Sequence, residues 1–158
     1  MTLGEATVQE LLIVYHTQSG NTGRLAEAVE RGAARSAHLT VRRQRAFDAT
    51  LQDLLRCQAV VFATAEYNGY MSGALKDFFD RTYEPARGHV TNKPYAIVIS
   101  AGNDGTFAAQ YIQRIARGYL LKLVAEPIIV VGEVTTPAVT SCEELGEVLA
   151  EGLALGIF

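Results

Sequence analysis

Cysteine is scarce in this sequence, and the two that occur, Cys57 and Cys142, form neither a CxxC pair nor a metal-ligand cluster. Two separated cysteines in a chain without a leader-like segment point to reduced, packed thiols rather than a disulfide framework or a metal site. Positive charge is scarce too. A net charge of −3 leaves no broad basic field of the kind non-specific nucleic-acid binding needs, so no nucleic-acid partner is expected. Long apolar runs are missing as well: stretches such as Ala59 to Ala65 are far too short to span a bilayer, and Met1 to Glu10 has no basic segment followed by an apolar one. No membrane partner is expected, and the cytoplasm is the expected location. The densest basic run, Arg42, Arg43 and Arg45, reads as a charged sheet edge that discourages strand-to-strand association rather than as a dock for a nucleotide 2′-phosphate.

What is present suits a single domain over residues 1–158, since 49% hydrophobic and 20% charged residues are ordinary for a globular chain with one core. Short apolar runs alternate with segments of helical period, the mark of βα units around a parallel sheet. Five strands are expected: Leu11 to Tyr15, Leu39 to Arg45, Ala59 to Thr64, Tyr95 to Ser100 and Val124 to Val131. Near-continuous apolar character, clearest in Leu11-Leu12-Ile13-Val14, fits strands buried on both faces.

Helical stripes lie between them. Met71, Ala74, Leu75, Phe78, Phe79 and Thr82 follow i, i+3, i+4, i+7 spacing, as do Tyr111, Ile112, Ile115, Ala116, Tyr119 and Leu120. A last helix carries Leu145, Val148, Leu149, Gly152 and Leu153, with Ser141 and Glu144 as its capping box. A first helix, about Asn21 to Ser36, has the small face Ala28, Val29, Gly32 and Ala33 for close packing on the sheet, and Phe47 to Arg56 forms a shorter one. Glu84 to Asn92 and Gly132 to Thr140 read as surface loops.

In an open doubly wound sheet the ligand crevice lies beyond the carboxyl ends of the strands, at the point where strand order reverses. The segments after strands one, three and four are His16 to Thr22, Ala65 to Met71 and Ala101 to Gly105, the most polar and glycine-rich in the chain. The first joins a buried strand to a helix, so free N–H groups and the hydroxyls of Thr17, Ser19 and Thr22 suit an anion. No Gly-Lys-Ser/Thr follows, which excludes a Walker A loop, and no GxGxxG is present. A response-regulator receiver would need acidic residues where His16 and Thr64 to Ala65 stand, and a low-molecular-weight phosphatase would need a cysteine in the first loop.

These loops carry a family resemblance. Thr17-Gln18-Ser19-Gly20-Asn21-Thr22 resembles the T/S-x-T/S-G-N-T phosphate loop of flavodoxins. Ala65-Glu66-Tyr67-Asn68-Gly69-Tyr70-Met71-Ser72-Gly73-Ala74-Leu75-Lys76 is similar to the P-E-Y-N-G-S-x-x-G-A-L-K signature of NAD(P)H-dependent FMN reductases, with Ala65 in place of the proline. Ser100-Ala101-Gly102-Asn103-Asp104-Gly105 looks like the third flavin loop of WrbA-type quinone reductases, without their glycine triplet.

The resemblance implies a flavodoxin-like three-layer α/β sandwich with a five-stranded parallel sheet in order 2-1-3-4-5. It also implies a flavin mononucleotide (FMN) phosphate held by Thr17, Gln18, Ser19, Gly20, Asn21 and Thr22. Glu66, Tyr67, Asn68 and Gly69, with Ser100, Ala101, Gly102, Asn103 and Gly105, would line the isoalloxazine ring. Tyr70 is equally consistent with a flavin contact and with aromatic packing. His16, at a strand end, reads as a structural residue, and neither a catalytic side chain nor a metal is expected. The implied activity is electron transfer from NADH or NADPH through FMN to a quinone or similar acceptor, in a homodimer or homotetramer. A one-electron flavodoxin carrier and a non-enzymatic FMN-binding module are the alternatives.

Overall fold

The computed structural model describes residues 8–158; Met1 to Thr7, most of the segment read above as lacking a leader, lie outside them. Strands and helices alternate: β1 (Gln9–Tyr15), α1 (Asn21–Ala33), β2 (Leu39–Arg45), α2 (Leu51–Arg56), β3 (Ala59–Ala65), α3 (Gly73–Ala86), β4 (Pro94–Ala101), α4 (Thr106–Tyr119), β5 (Lys122–Leu123), β6 (Ile128–Val131) and α5 (Thr136–Leu155). All pairings are parallel, in the order β2-β1-β3-β4-β5, with β6 also on β4. The strand order matches the expectation.

Alternation along each strand divides the core into two layers, because successive side chains leave a strand on opposite faces. Leu12, Val14, Phe62, Ile97 and Ile99 join Leu54, Leu75, Phe78, Phe79 and Ile112 on one face. Leu11, Ile13, Val61 and Val98 join Leu25, Val29, Leu145 and Leu149 on the other. Helices α2, α3 and α4 thus cover one side of the sheet and α1 and α5 the other.

The fifth strand does not run continuously from Val124 to Val131. Tyr95 is opposite Leu123 and Val98 opposite Ile128, so two residues of β4 face four of the partner, Val124 to Pro127. Pro127 has no N–H to give the ladder, and the segment bulges there. An excess of two keeps β5 and β6 in the same inside-outside phase, which preserves the buried face.

Helix ends differ from expectation where capping decides them. Thr50 and Asp53 form a reciprocal capping box, so α2 starts at Leu51 and not at Phe47. Thr135 Oγ1 accepts from Ala138 N–H at 3.4 Å and starts α5 five residues before Ser141, leaving Ser141 and Glu144 inside the helix and shortening the expected loop after Gly132. Helix α3 runs on through Pro85 to Ala86, beyond the expected loop start at Glu84, and α1 stops at Ala33. Tyr111, Leu120 and Val148 are exposed, so the stripes of α4 and α5 are narrower than their spacing suggests.

The basic run lies on edge strand β2 and is consumed locally. Arg42 pairs with Asp53 at 3.0 Å, while Arg43, on the opposite face, pairs with Glu30 at 3.2 Å. Arg45 stacks its guanidinium over the Tyr15 ring at 5.5 Å.

Candidate functional site

A cleft of about 670 Å³ opens at the carboxyl ends of β1, β3, β4 and β6. Each wall is a loop whose shape follows from local bonds.

After β1, Gly20 takes φ 98° as the N-cap of α1, and no side chain caps the helix. That left-handed φ favours glycine. Thr17 Oγ1 accepts the Gly20 N–H at 3.0 Å and so shapes the turn. Among the described residues no side chain caps the first-turn N–H groups of α1, and Ser19 and Asn21 bring that helix end onto the cleft wall.

After β3, Tyr67 N–H donates to Tyr70 O at 2.8 Å and Tyr70 N–H returns a bond to Tyr67 O at 3.0 Å. Between them Asn68 and Gly69 have φ of 52° and 76°, which makes a type I′ turn from an Asn-Gly pair. The loop is clamped at its base. Glu66 N–H donates to Ser100 O at 2.8 Å, and the Thr64 hydroxyl accepts from Ser72 N–H at 2.9 Å. Burial raises the Tyr67 hydroxyl pKa, against the opposing effect of a hydrogen bond with the Gln18 backbone.

His16 stands behind this loop with its ring edge-on to Phe47 at 6.0 Å and to Tyr67 at 6.4 Å. Burial, helped by the positive charge of Arg45, pushes its pKa below the ordinary value.

After β4, Asp104 accepts from Thr106 N–H at 3.1 Å and from its hydroxyl, and Gly105 caps α4 at φ 79°. A Cβ on Gly105 would come within 2.6 Å of Ile129 Cγ2, so packing as well as φ restricts the position to glycine. Gly102, on the cleft wall, has open space where a Cβ would project.

These loops lie within the region that decides kinship: the model for NADPH-dependent FMN reductase matches residues 12–134. The chain belongs to the NADPH-dependent FMN reductase family. It is 41% identical over 61 residues to an NAD(P)H-dependent FMN reductase of Pseudomonas aeruginosa, covering 38% of this chain and 33% of that protein. To a flavodoxin of Aquifex aeolicus it is 29% identical over 96 residues, covering 61% of this chain and 52% of the relative. The matched region thus spans about half or less of these relatives' own lengths. A solved archaeal flavodoxin superposes with a TM-score of 0.83 at 22% identity, over 92% of this chain and 99% of that one, which shows the shared fold.

In this FMN reductase family chain the cleft gathers Ser19 and Asn21, Glu66 and Tyr67, and Ser100, Ala101 and Gly102 from the expected set. Thr17, Gly20, Asn68, Gly69 and Gly105 instead set loop backbone, Thr22 is buried beneath the first loop, and Gln18 and Asn103 are exposed. Sequence reasoning missed Arg24, Gly132, Glu133 and Val134 on the same cleft. The last three follow β6, so the carboxyl-end rule applied to every strand would have found them. Arg24 carried a subtler signal, a cation in the first turn of a helix.

Among the described residues no group of three or more His, Cys, Asp or Glu is placed to hold a metal, and no helix is long and apolar enough to cross a membrane. The donor set does fit a phosphate-bearing flat cofactor: an uncapped helix N-terminus with Ser19 and Asn21 suits the phosphate, and the open face of Gly102 admits a planar group.

Proposed function

We propose that this chain is an NAD(P)H-dependent oxidoreductase that holds FMN in the cleft and passes electrons to a quinone or similar small acceptor. The observation that carries this reading is the convergence on one cleft of the uncapped α1 terminus and the Tyr67 loop, whose sequence is similar to the reductase signature. Bound FMN would supply hydride acceptance from the nicotinamide and electron delivery to the acceptor.

The chain's own residues bind and orient. Ser19, Asn21 and the first-turn N–H groups would hold the phosphate, with Thr17, Gln18, Gly20 and Thr22 maintaining the loop. Glu66, Tyr67, Asn68 and Gly69 would border the ring on one side, and Ser100, Ala101, Gly102, Asn103 and Gly105 on the other. A cross-braced type I′ turn holds the Tyr67 border rigidly, which is what hydride transfer over a short distance requires. His16 stays neutral near pH 7 and packs edge-on between two aromatic rings, so no proton-transfer role is assigned to it. A cytoplasmic homo-oligomer completes the proposal.

Anaerobic stopped-flow mixing of FMN-loaded protein with NADH and with NADPH tests it. Direct bleaching by one nicotinamide, followed by reoxidation with a quinone, is the expected result. Reduction that occurs only through a partner reductase would instead establish the second reading, a flavodoxin carrier, which the identity to the Aquifex aeolicus flavodoxin favours.

A further inference from the structure

We infer that Arg24 sets the phosphate specificity of the cleft, its guanidinium taking the cofactor phosphate together with the free N–H groups of α1. The inference rests on the FMN reading above and adds a residue that the phosphate-loop motif does not contain.

Arg24 lies in the first turn of α1, at the positive end of the helix, where a cation is unfavourable and no acidic residue offsets it. The same helix carries Arg31 at its other end, where the dipole favours it and Glu143 pairs with it at 3.2 Å. Arg24 has no such partner: among the described residues no carboxylate comes within 4.0 Å of it, although Glu66 and Glu133 share its cleft. Arg24, exposed and on the cleft wall beside an uncapped helix terminus, leaves two sources of positive potential without a paired carboxylate at one place. A dianionic phosphate offsets both, and the planar guanidinium can meet two of its oxygens at once. Glu66 and Glu133 repel the phosphate from the rest of the cleft, which fixes the cofactor's direction.

Fluorescence titration with FMN and with riboflavin, which lacks only the phosphate, tests this on wild type, Arg24→Gln and Arg24→Lys. The Gln variant should weaken FMN by roughly 10–100-fold, the scale of a lost charge-assisted hydrogen bond, and leave riboflavin unchanged. The Lys variant, a point charge without the fork, should fall between. Removing the cation should also raise the melting temperature of the flavin-free Gln variant by about 1–3 °C, since the helix dipole no longer opposes it. A wild type that binds both flavins equally would overturn the phosphate cradle and this inference with it. If wild type prefers FMN and Arg24→Gln keeps that preference, or loses both flavins alike, the inference alone falls.

Discussion

His16 closes β1 with its N–H on Ala63 O at 3.2 Å and its ring among Phe47 and Tyr67. Its pKa lies below the ordinary 6.5, chiefly through burial. Between that lowered value and 6.5 the unfolded chain binds more protons than the folded one, so stability present above pH 6.5 is lost as pH falls through this window. Denaturation midpoints measured from pH 7.5 to 5 should therefore decline for wild type and decline less for His16→Gln. Asn68 and Gly69 lie in the loop that carries the reductase-like signature, and the reciprocal Tyr67–Tyr70 bonds close that pair into a type I′ turn.

Helices α1 and α5 meet backbone to backbone. A Cβ on Gly32 would collide with the Glu143 carbonyl oxygen, and one on Gly146 with that of Val29. The small face read from Ala28, Val29, Gly32 and Ala33 thus serves α5 at its glycine, and not only the sheet. Arg31 and Arg35 reach across the seam to Glu143, whose pKa they lower, chiefly through the hydrogen bond from Arg35. Gly32→Ala and Gly146→Ala should each destabilise by about 1–3 kcal/mol, the scale of overpacking, in urea titrations with unchanged slope. Gly73→Ala provides the contrast. Its Cβ would meet nothing within 4 Å at the start of α3, so that variant should be neutral or up to about 1 kcal/mol more stable.

At the scale of the molecule, the four loops on the cleft come from β1, β3, β4 and β6, so a ligand there ties together segments distant in sequence. A cofactor bound only by the native state stabilises it by mass action, about 2.7 kcal/mol at one hundred times its dissociation constant. For a chain of 158 residues this corresponds to a rise in melting temperature of roughly 5–10 °C with FMN. Riboflavin at the same concentration should give a smaller shift. Equal shifts would show that the phosphate end of the cleft contributes nothing.

The alternation of strands and helices and the three loops at the strand ends were legible in residues alone, because apolar runs, helical period and Gly-rich turns are local properties read one segment at a time, whereas the strand order came from the family resemblance. The kinship signal was equally local, held in Thr17 to Thr22 and Ala65 to Lys76. The bulge at Val124 to Pro127 and the α1–α5 seam were decided by the tertiary structure. Each depends on which of several competing partners a backbone group meets. The cleft's missed wall has the same cause: Gly132 to Val134 reach it only because β6 lies beside β4, and Arg24 acquires meaning only once no carboxylate among the described residues is found within reach of it.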